Sequence, residues 1–277
     1  MHFLSVLFNI QIFNNTLTLM NIAFNKYQGA GNDFIIIDNR GGVFNPENSN
    51  LINRLCDRRF GIGADGLILI NKASGYDFEM AYFNSDGYEG TMCGNGGRCA
   101  ADFAIKSGIA GKKLSFKAID GIHEAFSEES LIRLKMNNVI GTRLVRNNYF
   151  INTGSPHYVV FTNKLNNFDV YTEGKKIRGS EDFHPGGTNV NFVEVVNQGI
   201  FVRTFERGVE NETLSCGTGV TASAIASVLS GHFDSGPVNV RTKGGNLMVD
   251  FKVRGNEIAD IWLTGPATFV FEGKIEI

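Results

Sequence analysis

From Gly31 to Cys93 the chain advances 62 positions, and from Gly154 to Cys216 it advances 62 again. Each cysteine heads a Gly-x-Gly, Cys93-Gly94-Asn95-Gly96 and Cys216-Gly217-Thr218-Gly219, and each runs on into a stretch rich in small residues. Between these landmarks glycine turns and apolar runs follow in the same order twice. Matches that keep both order and spacing point to an internal duplication, which obliges the chain to fold as two like units.

The first unit opens with "NIAFNKYQG" (21–29) and "NDFIIIDN" (32–39), two strands around the turn Gly29-Ala30-Gly31. In "NSNLINRLCDRRF" (48–60), Leu51, Ile52, Leu55 and Cys56 recur at helical spacing, which predicts a short amphipathic helix capped by Ser49 or Asn50, with Cys56 in the core. A glycine turn feeds a strand within 61–70, "YDFEMAYFN" (76–84) alternates, and further strands are expected near 113–118, 122–126 and 131–136. The second unit repeats this: strand, turn and strand over 150–161, a turn feeding a strand over 184–196, and a strand over 199–208. A helical stretch at 215–231 follows, then strands near 237–243, 246–253 and 257–264, with "TFVFEGKIEI" last. One strong helix per half is too few for a doubly wound parallel sheet. The expectation is an α/β chain of the α+β type with two pseudo-symmetric domains, each a mixed or antiparallel sheet wrapped around a central helix.

A length of 277 residues accommodates two such domains. The net charge of −2 and the lack of any run of five like charges give no footing for nucleic acid or an anionic membrane as partner. "MHFLSVLFNIQIFNNTLTLM" is apolar but has no Lys or Arg, no cleavage site of the signal-peptide kind, and polar interruptions at Asn9, Gln11, Asn14 and Asn15. Residues 1–19 read as an extension ahead of a functional start at Met20. Four cysteines, Cys56, Cys93, Cys99 and Cys216, form no CxxC, so no zinc or thioredoxin motif is present, and free thiols in a reducing cytoplasm are expected.

A cysteine at a helix N-terminus meets free N–H groups and the positive end of the helix dipole, which favour the thiolate and can also cradle a carboxylate. Two such thiols facing one cleft suit inversion of a stereocentre by proton transfer, with a base on one face of the carbon and an acid on the other. No metal or pyridoxal motif accompanies them, so the helix ends and a dry site have to stabilise the carbanion.

The segments "GAGNDF", "GIGADGL", "FNSDG", "CGNGGRC", "GSPH", "GTNVNF" and "ERGVENETLSCGTG" occur in this order. On them the chain, from about Asn21 onward, resembles the diaminopimelate epimerase family, cofactor-independent amino-acid epimerases of lysine and cell-wall precursor synthesis. The resemblance implies two pseudo-symmetric domains, a last strand that returns to the first domain, and a homodimer. The implied domains are 20–138 plus 266–277, carrying Cys93, and 139–265, carrying Cys216. It implies Cys93 and Cys216 as the catalytic pair and His157 and Glu206 as groups that tune the thiols. Asn32, Asn84, Asn189, Glu206 and Arg207 are implied substrate ligands, and Gly94-Asn95 and Gly217-Thr218 the carboxylate cradles. Ser155 stands where some members carry Asn, and Gly66 where some carry Gln, so Ser155 keeps a polar group at its position and Gly66 offers backbone alone. No cofactor and no metal are implied.

Taken without the family, Asn32 and Asn84 read as turn residues, Asp33 and Asp65 as turn or cap groups, and His157 as a partly buried hydrogen-bonder. Arg98 reads as a helix-start cap or an acid's partner, Cys99 as turned to the core, and Trp262 as core or interface. Rival readings are a proline racemase-like or hydroxyproline epimerase-like enzyme, a phenazine-pathway isomerase, a cysteine hydrolase built on Cys93 and His157, and a metabolite-binding module with redox-sensitive thiols.

Overall fold

The computed structural model describes residues 21–277, so the expected extension at 1–19 lies outside the described residues. In chain order the first half runs β1 (Asn21–Gly29), β2 (Asn32–Asp38), α1 (Ser49–Cys56), β3 (Gly66–Asn71), β4 (Phe78–Asn84), α2 (Gly94–Lys106), β5 (Lys113–Ala118), β6 (Gly121–Glu128) and β7 (Leu131–Lys135). Two short strands, β8 (Val139–Ile140) and β9 (Arg143–Val145), lead to β10 (Asn148–Asn152), β11 (Pro156–Phe161), α3 (Val170–Arg178), β12 (Asn189–Val196) and β13 (Gly199–Glu206). Then come β14 (Asn211–Thr213), α4 (Gly217–Leu229), β15 (Val238–Arg241), β16 (Asn246–Arg254), β17 (Glu257–Pro266) and β18 (Thr268–Glu276).

Pairing exposes the duplication. Along β1–β2–β3–β4–β5–β6–β7 neighbours pair antiparallel, parallel, antiparallel, parallel, antiparallel, antiparallel. Along β10–β11–β12–β13–β15–β16–β17 the same succession recurs. A parallel pair needs a crossover, and helices supply it: α1 and α3 bridge the first parallel pair of each half, α2 and α4 the second. The halves join through antiparallel β7 and β17, with Leu134 opposite Leu263, while β18 returns to pair along β1.

Strand alternation decides what each helix covers. Phe34, Ile36, Ile68 and Ile70 belong to the core around α2, whereas Ile35, Ile37, Leu67 and Leu69 pack with Ile52, Leu55 and Cys56 of α1. Opposite α3, Tyr158, Val190, Phe192 and Phe205 form a separate cluster. Helices α2 and α4 are buried on almost every side, and their glycines and alanines let the strands close around them. A Cβ on Gly97 would lie 3.1 Å from both Leu134 Cδ2 and Met92 Sδ.

Some local expectations change. Helix α1 is capped by Asn48, whose side chain accepts from Leu51 N at 3.0 Å, rather than by Ser49 or Asn50, because the helix starts one residue early. Cys56 and Cys99 are buried as expected, and burial pushes the Cys56 thiol up to about 12. Trp262 is half-buried, edge-on to Phe126, with the cations of Arg133 and Lys135 over its ring.

Candidate active site

Cys93 and Cys216 are the N-cap residues of α2 and α4, both with extended backbone. The first helical residues behind them, Gly94 and Gly217, abut. A Cβ on Gly217 would lie 3.5 Å from Gly94 Cα, and a Cβ on either glycine would lie 3.2 Å from the same Leu263 Cδ2. Two helix N-termini thus meet end to end over one leucine on the strand that joins the halves, at a separation side chains would crowd. Asn95 Nδ2 donates to Ser215 O at 3.3 Å, tying one helix start to the residue before the other cysteine.

The thiols sit in opposed electrostatic influences. The N–H groups of Asn95 and Gly96 bear on Cys93, and the Thr218 hydroxyl and Gly219 N–H on Cys216, in the direction that favours thiolates. Burial outweighs them and pushes both thiols up, with the Glu206 carboxylate adding to the rise at each. Helix ends alone imply lowered values; the desolvated cleft reverses that sign. Burial also raises Glu206 itself, whose Oε2 accepts from Thr213 Oγ1 at 2.9 Å.

On the first side, Cys93 Sγ donates to Asn32 Oδ1 at 3.4 Å. The Asn32 amide is oriented by Asp65, whose Oδ2 accepts its Nδ2 at 2.6 Å. Arg58 bridges Asp65 and Asp33 at 2.7 and 2.6 Å, and buried Lys26 pairs with Asp33 at 2.7 Å. Burial pushes the Asp33 carboxyl up, but hydrogen bonds from Arg58 and Lys26 more than reverse it, to about 2. Asp33 and Asp65 are therefore an ion-pair platform beneath Asn32, not turn or cap groups.

On the second side, Thr218 Oγ1 lies 3.4 Å from Cys216 Sγ and 2.9 Å from His157 Nε2, with Ser155 Oγ 3.0 Å from the same nitrogen. Asn191 Nδ2 donates to His157 Nδ1 at 3.0 Å, and Thr204 Oγ1 donates to Asn191 Oδ1 at 2.9 Å. An accepting Nδ1 puts the ring proton on Nε2, facing Thr218 and Ser155. Burial pushes His157 down to about 3, so the imidazole is neutral at physiological pH. Asn189 has its amide engaged: Nδ2 donates to Pro156 O at 2.9 Å and Ser155 Oγ at 3.2 Å, while Oδ1 accepts from Arg207 N at 2.8 Å.

The structure gathers Cys93, Asn32, Gly94, Asn95, Cys216, Gly217, Thr218, Ser155, His157 and Asn189 around the meeting helix ends. Asn84 and Arg207 are exposed; the Arg207 guanidinium reaches Gly186 O at 3.2 Å. Arg98 neither caps a helix start nor pairs with an acid. It is fully buried, donating to Gly94 O at 3.1 Å, Asn95 Oδ1 at 2.8 Å and Pro266 O at 3.4 Å. Sequence reasoning left out Asp65, Asn191 and Thr204 as site-supporting residues. Asn191 carried a readable signal, since it follows Asn189 by two and shares its strand face.

Among the described residues, no cluster of three or more His, Cys, Asp or Glu could hold a metal ion, and no helix is long and apolar enough to cross a membrane. A cavity of about 320 Å³ lies beside α1, lined by Leu51, Leu55, Phe60 and Ile275, on the face of the sheet away from α2.

The fold is of the racemase-like type with two pseudo-symmetric domains. The same fold is seen in a phenazine biosynthesis protein of the PhzF family from Bacillus anthracis, with TM-score 0.73 and 16% identity over 93% of this chain and 100% of that one. A hydroxyproline epimerase from Agrobacterium vitis gives 0.69 and 14% over 93% of each chain. The sequence model of the family described as diaminopimelate epimerase matches residues 24–136 and 149–270. Diaminopimelate epimerase of Flavobacterium psychrophilum is 52% identical over 252 residues, 90% of this chain and 98% of the relative. That of Chlorobaculum tepidum is 47% identical over 260 residues, 90% and 99% of the two chains. The chain belongs to the diaminopimelate epimerase family, and it is an isomerase.

Proposed function

We propose that the protein converts LL-2,6-diaminopimelate to the meso isomer by two-base proton transfer, with Cys93 and Cys216 as the thiolate and thiol. The observation that carries this reading is the end-to-end meeting of two helix N-termini, each headed by a cysteine. A substrate carboxylate seated between the helix ends receives N–H groups from Gly94-Asn95 and Gly217-Thr218, and its α-carbon then has one thiol on either side. One thiolate takes the α-proton while the opposite thiol delivers its own, which inverts the centre and exchanges the two protonation states. His157 acts on Cys216 through Thr218, and the Glu206 charge bears on both thiols. Asn32, Asn84, Ser155, Asn189, Glu206 and Arg207 bind the substrate, Arg207 as the fork for the distant carboxylate.

The reaction serves lysine and peptidoglycan precursor supply in the cytoplasm, where four free cysteines are at home, and it uses no cofactor. We assign residues 20–138 with 266–277 to the first domain and 139–265 to the second, which the β18–β1 pairing supports. The working state is a homodimer.

Incubation with LL-diaminopimelate in deuterium oxide, with reductant and no added cofactor, tests the reading. The expected result is meso product labelled at one α-carbon. Absence of exchange with this substrate, alongside exchange with proline, overturns it in favour of a proline racemase-like activity.

A further inference from the structure

We propose that the Tyr82 hydroxyl is a substrate-binding group, lodged in the room that Gly66 leaves open; the inference rests on the epimerase reading above. The β3–β4 register sets Gly66 opposite Asn84 and Ile68 opposite Tyr82. All four positions lie on the α2 face, because Ile68 and Tyr82 pack in the core around that helix. A Cβ on Gly66 would lie 2.5 Å from Tyr82 Cε2 and 3.0 Å from its hydroxyl oxygen. A Cβ on Gly90 would lie 3.1 Å from Cδ1 and Cε1 of the same ring and 2.8 Å from Asn84 Nδ2. The Tyr82 ring is therefore slotted between two glycines, with Phe34 edge-on at 6.1 Å. Any side chain at position 66 or 90 has to displace it.

The hydroxyl at the end of this held ring has no hydrogen-bond partner among the described residues, and the residue is only half-buried. A tyrosine hydroxyl both donates and accepts, so this one is free to bind a polar group of a ligand in place of water. Asn84 Nδ2 flanks the same slot, and Cys93 packs against the core that holds the ring, which sets Tyr82 beside the cleft.

The second half has no equivalent. By strand register its Asn189 corresponds to Gly66 and its Thr204 to Tyr82. Asn189 has its amide bound to Pro156, Ser155 and Arg207, and Thr204 gives its proton to Asn191. Only the first half keeps a rigidly mounted, unengaged hydroxyl at this level of the cleft. A Tyr contributes such a contact at small cost in side-chain entropy.

The Tyr82→Phe variant tests this in the deuterium oxide assay, because it keeps the ring and removes only the oxygen. The expected result is a rise in KM for LL-diaminopimelate of about fivefold or more, with kcat within about twofold and an unchanged thermal midpoint. An unchanged KM, or a fall in kcat at constant KM, overturns the inference. Lack of epimerisation by the unaltered protein would instead defeat the reading on which it rests, so the two failures are told apart.

Discussion

The two halves share strand order, helix placement and a thiol at a helix start, yet beneath those helices their polarity is exchanged. Under Cys216, register aligns His157, Asn191 and Thr204 into a hydrogen-bonded chain. The matching places in the first half hold Phe34, Ile68 and Tyr82, which are apolar but for the Tyr82 hydroxyl and form no such chain. Inside the helices the contrast runs the other way. Arg98 lies buried in α2, whereas the residue 123 positions on, counting from Cys93 to Cys216, is Thr221, whose hydroxyl binds Gly217 O at 2.9 Å. Duplication preserved the frame that brings two thiols together, and divergence gave each a different neighbourhood.

The hardest test of partnership is removal of either thiol. Cys93→Ala and Cys216→Ala should each lower epimerisation by about three orders of magnitude or more. Either variant retaining activity within tenfold of the unaltered protein would break the pairing of the halves. Smaller, and specific to the first half, is Arg98→Met. Loss of the donors to Gly94 O and Asn95 Oδ1 should reduce kcat about tenfold. Denaturant unfolding should also show a loss of about 1–3 kcal/mol, because Gly94 O, Asn95 Oδ1 and Pro266 O stay in place without this donor. Thr221→Val in the second half should change kcat by less than about threefold, since it removes a single local back-bond. Equal effects at the two positions would erase the contrast.

Thr204→Val addresses the chain under Cys216. It frees the Asn191 amide, and the expected cost is about 1 kcal/mol of stability in denaturant unfolding with a several-fold drop in kcat. The mildest change is Glu206→Gln, read by the pH dependence of thiol alkylation. Burial and the Glu206 charge both raise the thiols, so alkylation climbs only on the alkaline side of the ordinary cysteine range. Removing the charge should move the rise to lower pH by about one unit at both cysteines. A shift at one cysteine alone would show that Glu206 belongs to one half.

Much of the frame is legible in sequence because it is written in local terms: strand alternation, glycine turns, and a cysteine before each buried helix. The supporting contacts are less legible because register makes them. Asn191 and Thr204 meet only when β12 and β13 pair, and Asp65 reaches Asn32 only when β2 and β3 align. The sign of the thiol pKa shifts escaped for a related reason. Helix ends are visible in a string of letters, but the desolvation of a cleft between two halves belongs to the assembled fold. Asp65 in "GIGADGL" reads as a turn residue, and nothing beside it reveals Arg58 and Asn32 as its partners.

The return of β18 to β1 sets a rule for how the molecule is made. Asn21 pairs with Glu276, so the first half completes its sheet only when residues 268–276 arrive. Until then β1 offers an open edge, and Tyr27 lacks the Phe269 ring that later packs against it at 5.7 Å. A chain leaving the ribosome carries its first Cys-Gly-x-Gly helix in an unclosed sheet while the second half is built. Strand β18 is thus the clasp of β1, and the sheet beside the cleft closes only when both strands are in place.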